Sequence, residues 1–499
     1  MEKSIIIIGA GIAGLSAGCY GQMNGYNTQI FEMDTRPGGL CTSWKRKGYT
    51  IDGCLHWLLG SGPASSFYKI WEELGVIKNH TFIDHDEYIS VEVGDGKSLV
   101  LCADLDKTKQ NMKEVAPEDT EVIEDWIKGL KKLIGFDMSV DKAPELANIF
   151  DTIRMMFKLL PYLWFMRKWG RMSVKQFAER LKSAHLREAF LGGAGDMKDF
   201  TILGLMMSLV WVNQKIAGYP LGGSLALSKT IEKRYLDLGG KVSYKSPVKK
   251  VLVKNDKAVG IRLADGSEHH ADIIISAADG HTTIFDMLEG KYINNKIKGY
   301  YDNNLIFPPL LHVAYGVSRT FNEAPKSVGG FNLMIDKPII IAGKEHNRLP
   351  LYIYNFDPSL APDGKTVLKF IITTRYEPWE ELYKDTEAYK AEKERLAGEL
   401  LTVLEERFPG ITEQVEMTDV ATPMTWVRYT GNWKGSYEGW IMTSFGMRMK
   451  KTLPGLDGFY MVGQWVEPGG GLPGVAPSGR NVIQIICKKD KKKFVTSTP

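Results

Sequence analysis

Three glycines and one acid near the start of the chain carry the clearest chemistry. Gly9, Gly11 and Gly14 form a G-x-G-x-x-G spacing directly after the run Ser4-Ile-Ile-Ile-Ile8, and Glu32 follows 18 residues after Gly14. The first glycine permits a tight turn, the second lets the backbone approach a pyrophosphate, and the third lets a helix pack on a strand. A helix beginning there offers unsatisfied N–H groups around Ala13, and a partial positive charge, to phosphates. Glu32, ending a second strand, can accept both hydroxyls of an adenosine ribose. The glycine spacing alone is a weak signal, and a chance glycine turn is the alternative. Strand, glycines, helix, strand and acid in register point to a dinucleotide.

The elements that must position these groups follow from local pattern. Residues 4–8 are β-branched and suit a strand buried on both faces. Residues 15–24 read as a helix closed near Gly25, and 27–32 as the second strand, a βαβ start. Short strands are expected over 81–100 and helices over about 111–211. A second α/β block begins near Leu221, with a helix to Leu238. Strands follow around 241–244, 248–253, 258–262 and 273–276, with a hairpin signal at Asp265-Gly266. Residues 311–317, 351–356 and 367–373 read as strands of a second sheet, and 385–408 as a long charged surface helix. The chain closes with a strand at 458–462, a Gly/Pro-rich loop to Gly479, and a helix from Arg480 to about Cys487.

Further motifs carry a family resemblance. Glu32 is followed by Met33-Asp-Thr-Arg36-Pro-Gly38-Gly39-Leu40, which resembles the flavoprotein pattern of an acid and then an R-x-G-G turn. Gly48-Tyr-Thr-Ile-Asp52-Gly53 is similar to the strand that follows in that pattern. The stretch 221–277 resembles its second cofactor segment, with Val248 where a backbone contact to adenine is usual. Pro358 to Gly364 is similar to a substrate-domain hairpin of phytoene desaturases. Gly458 to Gly463, Gln464, and Pro473-Gly474-Val475 to Gly479 resemble their C-terminal flavin segment. On these residues the chain is identified as resembling phytoene desaturase, carotenoid isomerase and retinol saturase-like enzymes of the amine oxidase-like superfamily. The resemblance implies FAD as cofactor. Two departures stand out: Leu40 follows the glycines where many members have Arg, and Gln464 stands where many place an acid.

The resemblance also implies where chemistry occurs. It sets Cys54-Leu55-His56-Trp57 beside the flavin ring, although this run differs from the small-residue run of phytoene desaturases. His56, with an ordinary pKa of about 6.5, suits acid–base work at neutral pH; a packed structural histidine is the alternative. Leu55 and Trp57 are expected along the cofactor, Trp57 as wall. Glu467, just before Pro468 and three glycines, faces either the ring or solvent, and it joins His56 as a catalytic candidate. Arg428, Tyr429 and Trp433 lie in a segment similar to the family's substrate side, with plain cavity lining or surface as the alternative. No metal site is expected.

Composition bounds the rest. Apolar residues make up 44% and charged residues 24% of 499 residues, so general disorder is excluded. The net charge is +4, and residues 488–499 supply all of it through five Lys and one Asp. A basic field for nucleic acid is therefore absent. Five cysteines without metal spacing suit reduced thiols in a cytoplasmic protein. Residues 150–169 mix Phe, Met, Trp and Leu with Arg154, Lys158, Arg167 and Lys168, and Pro161 would kink any helix there. That stretch reads equally as an interfacial segment at a membrane surface or as a buried helix. Residues 201–212 are apolar on nearly every side, as a core or cavity wall requires.

The expected fold is a two-domain α/β flavoprotein. Residues 1–80, 215–295 and 450–499 would form a discontinuous Rossmann-type FAD-binding domain. Residues 81–214 and 296–449 would form an α+β substrate domain with a mixed sheet. The expected activity is hydride transfer between flavin N5 and a C–C or C=C bond of a lipophilic isoprenoid or polyene-like substrate, by desaturation, saturation or isomerisation. An amine oxidase, or a non-redox prenyl-binding protein of the same superfold, is the alternative. No second dinucleotide motif follows a strand, so the sequence names no electron donor or acceptor.

Overall fold

A computed structural model describes residues 2–137, 139–303, 305–441 and 448–499. Its first sheet is parallel, with β1 (Ser4–Ile8) beside β2 (Asn27–Phe31) and Ile273–Ser276; Lys241–Ser243 and Phe459–Met461 form the edges. The isoleucine run of β1 serves both faces. Ile5 and Ile7 pack with Leu15 and Cys19 of α1 (Ile12–Met23) and with Ile483 near the C-terminus. Ile6 and Ile8 pack against Val251 and Ile261 of a small antiparallel sheet on the other side. Burial on both faces is what makes a continuous β-branched run the right sequence for this strand.

A second sheet of seven strands is mixed. Its order is Val415–Ala421, Leu310–Val317, Thr366–Thr373, Lys344–Ile353, Phe331–Ile341, Glu87–Gly94 and Lys97–Cys102, with one parallel pairing between Phe331–Ile341 and Glu87–Gly94. The long helix Thr386–Arg407 covers it with Leu396, Leu400 and Leu404. Helices between Leu105 and Asn213 form a separate core around Trp126 and Phe177, and the apolar helix Ile202–Asn213 buries Met206, Leu209 and Val210 there. This is the α/β architecture with a mixed sheet expected from the sequence.

Two local expectations are corrected, and one strand is added. Residues 472–479 are not loop: Leu472–Lys489 is one helix, with Pro473 in its first turn and Pro477 inside it. Proline costs little in a first turn, and packing against α1 outweighs the bond lost at Pro477. A β-carbon on Gly479 would sit 2.7 Å from the Ala17 amide nitrogen, so glycine there permits the close approach. Second, the strand expected at 351–356 instead runs Lys344–Ile353. Its partner Phe331–Ile341 escaped the sequence reading because Pro338 lies inside it. A register shift between Met334 and Ile339 accommodates that proline.

Residues 149–169 form the helix Ile149–Leu159, a tight turn holding Pro161, and the helix Leu163–Trp169. The buried-helix alternative fails for the first of these, since none of its residues is buried. Phe150 is 77% exposed and Trp164 is 81% exposed, and Met155, Met156, Phe157 and Leu163 are exposed as well. Phe165 and Trp169 point inward and anchor the segment. Among the described residues no helix is long and apolar enough to cross a membrane.

Candidate functional site

The glycine turn builds one end of the site. Gly11 caps α1 without a side-chain hydrogen bond, and the first turn of α1 carries no acid, so its N–H groups stay free for an anion. A β-carbon on Gly14 would collide with the Gly9 carbonyl, so this glycine serves helix-on-strand packing and stands behind the pocket wall. The Gly38 amide donates to the Ala10 carbonyl at 2.9 Å, which lays the R-x-G-G turn against the first turn. Glu32 is buried and accepts from the amides of Ala10 at 2.6 Å and Asp34 at 2.8 Å. Burial raises its pKa, and these amide bonds oppose that shift.

A cavity of about 430 Å³ runs from Glu32 past the glycine turns to Gly471 and Leu472. Gly9, Gly11, Ala13, Glu32, Met33, Arg36, Gly38, Gly39, Leu40 and Val248 line its first part. His56, Gly463, Gln464, Val475 and Tyr429 line the remainder, with Leu310, Trp426 and Tyr437. Segments far apart in sequence therefore share one cavity. The Gly463 amide donates to Ser478 Oγ at 3.1 Å, and a β-carbon on Gly463 would sit 3.6 Å from Ala13 Cβ, so the C-terminal segment packs against α1.

A buried carboxylate sets the position of the Cys54–Trp57 run. Asp52, ending the strand Tyr49–Asp52, accepts from the Cys54 amide at 3.0 Å, the Ser224 amide at 2.8 Å and the Tyr219 hydroxyl at 3.2 Å. Lys369 Nζ, fully inside the protein, donates to the Asp52 carbonyl. Burial brings this lysine down to about 8. The His56 ring lies 4.6 Å from the Tyr352 ring. Burial, then the nearby Lys369 charge, lowers His56 to about 3. The imidazole is therefore neutral, and the protonation near neutrality expected from its ordinary pKa does not apply. The Cys54 thiol is held well above its usual range by its hydrogen bond with Cys41 and by burial, so it is not a thiolate nucleophile.

Several expected residues lie outside the cavity wall. Glu467 is ion-paired with the buried Lys451, which also pairs with Glu145 at 3.0 Å. Trp57 packs against Trp211 at 5.6 Å. Leu55 is buried, with its amide on Ser224 Oγ at 2.9 Å. Trp433 stacks on His281 at 4.9 Å, and a β-carbon on Gly474 would sit 3.8 Å from the Glu467 carbonyl. Arg428 lies over the Tyr429 ring at 4.7 Å and lines a smaller adjoining pocket with Arg36 and Trp44. The sequence reading missed Glu438. It lines the main cavity, and burial pushes its carboxyl up to about 7. Its sole sequence signal is an acid flanked by Tyr437 and Gly439, which is too common to single out.

Comparison with known proteins gives a consistent picture. Residues 12–487 match the family described as flavin containing amine oxidoreductase. The chain is 26% identical to a phytoene desaturase (neurosporene-forming) of Rhodobacter capsulatus, over 96% of this chain and 93% of that one. It is 25% identical to the chloroplastic prolycopene isomerase of Arabidopsis thaliana, over 95% of this chain and 81% of that one. The crystal structure of an oxidoreductase from Methanosarcina mazei aligns with a TM-score of 0.60 at 18% identity, over 96% of this chain and all of that one.

Two outcomes follow from this geometry. A β-carbon on Gly11 has open space, its nearest neighbour being the Gly38 carbonyl at 3.9 Å, and Gly11 has ordinary extended backbone. Gly11→Leu is therefore expected to fold, with its thermal midpoint kept, while filling the cradle. FAD titration followed by fluorescence should show at least about 100-fold weaker binding, roughly 2.7 kcal/mol. The second concerns acid. The His56 pKa falls from 6.5 to about 3 on folding, so its contribution is complete above 6.5 and is lost as pH falls toward 3. Unfolding free energies of the apoprotein from urea titrations between pH 7 and 5 should decline less steeply in His56→Gln, by up to about 1.4 kcal/mol per pH unit.

Proposed function

Because the chain belongs to the flavin containing amine oxidoreductase family and is an FAD-dependent oxidoreductase, we propose that it converts a C–C or C=C bond of a lipophilic polyene or isoprenoid. The observation that carries this reading is the near full-length similarity to a phytoene desaturase and a prolycopene isomerase. The cavity wall supports it, since Leu310, Trp426, Tyr437 and Leu472 offer apolar and aromatic surface to such a chain. When bound, FAD supplies a hydride acceptor or donor.

The chain's own residues would divide the remaining work. Gly9, Gly11 and Ala13 would hold the phosphates, Glu32 the ribose and Val248 the adenine. Arg36, Gly38, Gly39, Leu40, Gly463, Gln464 and Val475 would line the path to the ring. Neutral His56, fixed by Tyr352 and by the Asp52 network, would orient substrate by hydrogen bonding. Residues 1–80, 215–295 and 450–499 would form the cofactor unit, and 81–214 with 296–449 the substrate unit. The parallel sheet draws its strands from the first set and the mixed sheet from the second, which supports that division.

A water-insoluble substrate needs an entry route, and the exposed segment 149–164 suits a membrane surface. Its exposed Phe150, Phe157 and Trp164 alternate with Arg154 and Lys158, a composition that seats apolar rings among acyl chains and cations among anionic headgroups. The peripheral placement leaves the rest of the chain in water.

Anaerobic mixing of the yellow holoprotein with polyenes or with amines tests the activity. Flavin bleaching or product formation with polyenes, and none with amines, is the expected result. Bleaching by amines alone would favour the amine oxidase reading. For the surface, Phe150→Glu with Trp164→Glu should reduce sedimentation with phosphatidylserine-containing vesicles at least about 10-fold, since each ring contributes roughly 2 kcal/mol when buried. Unchanged sedimentation would remove the segment from membrane contact.

A further inference from the structure

We propose that the carboxyl of Glu438 is the group that moves the proton in this reaction, an inference that rests on the C–C chemistry above. The argument begins with what the other acids near the cavity are doing. Glu32 is bound by two amides, and Asp34 by the Thr35 amide and Arg36. Asp52 is enclosed by its own network. Asp279 accepts from the amides of Thr282 at 2.8 Å and Trp433 at 2.9 Å. Glu467 is paired with Lys451. Among the described residues Glu438 makes no hydrogen bond and no ion pair, although it lines the same cavity as His56 and Gly463. Glu438 is half-buried in the cavity wall, and a carboxyl there that no other group holds is placed to serve something that enters the site.

The surroundings are built around this carboxyl. Gly470 and Gly471 lie against it with positive φ, and a β-carbon on Gly470 would collide with the carboxyl. The glycine loop therefore leaves room that any side chain would take. The titratable groups facing Glu438 are Cys54 across the cavity and Tyr437 on its own turn, with Tyr352 beyond Tyr437. All three are pushed above their ordinary values, as is Glu438 itself, and no cation stands among the influences on it. The two tyrosines and the thiol thus stay protonated at neutral pH, and His56 stays neutral. Glu438, at about 7, is the facing group that can both accept and return a proton near neutrality.

The step balances. In the desaturating direction one C–H bond would give up its electron pair as hydride, which bound FAD would accept. The neighbouring C–H bond breaks with its proton going to the Glu438 carboxylate, and its electron pair becomes the new π bond. In the saturating direction the protonated Glu438 returns that proton as hydride arrives at the adjacent carbon.

The test compares wild-type holoprotein with Glu438→Gln and Glu438→Asp. Infrared difference titration should show a carboxyl changing protonation near pH 7 in wild type, missing in Glu438→Gln. FAD content should be equal in all three. Anaerobic flavin reduction or product formation with a polyene should fall about 100-fold or more in Glu438→Gln, lose its pH inflection, and recover partly in Glu438→Asp. A titration unaltered by Glu438→Gln, or a rate and pH profile within threefold of wild type, would overturn the proposal. If wild type itself ignores polyenes, the functional reading fails, and the infrared titration still decides whether Glu438 is the neutral-pH carboxyl.

Discussion

The architecture depends on backbones that meet without side chains between them. Gly14 sits against the Gly9 carbonyl, and Gly479 sits against α1. The Gly38 amide bonds back to Ala10. These contacts hold the N-terminus of α1, the second turn and the C-terminal helix within reach of one elongated ligand. Helix termini bind anions because their first N–H groups lack partners, and here none of the described residues supplies those partners. Glu32 reinforces the arrangement by tying the amides of Ala10 and Asp34 to one carboxylate.

A second constraint is charge. The cavity wall is largely apolar and aromatic, and most acids around it are already bound to amides or lysine. His56 is neutral, and Lys369 is spent on the Asp52 carbonyl beneath the wall. Such a site suits hydride movement across a hydrocarbon, where fixed charges would misdirect developing charge. Glu438 is the exception in that inventory: among the described residues nothing is bonded to its carboxyl, which burial raises to about 7.

What the sequence revealed follows physical lines. The glycine fingerprint, Glu32, the R-x-G-G turn and Gly463 were legible because backbone geometry demands those residue types at those spacings. The isoleucine run was legible because burial on both faces leaves no polar alternation. Glu467 looked functional through its adjacency to glycines, but Lys451 comes from a distant position and its pairing cannot be seen in one sequence. Trp57 turns toward Trp211 for the same reason. Glu438 has the reverse character, since its place in the cavity wall, with no bonding partner among the described residues, exists only after folding. The helix Leu472–Lys489 and the strand Phe331–Ile341 were obscured by prolines that tertiary packing and a register shift accommodate.

The central claim is that three distant segments close on one flavin. Hydrogen–deuterium exchange of the apoprotein, with and without FAD, tests it most directly. The account predicts simultaneous protection of residues 9–15, 32–41 and 463–476 on FAD addition, with little change in the helix Thr386–Arg407. Protection confined to one of these segments, or absent from all of them, would contradict it.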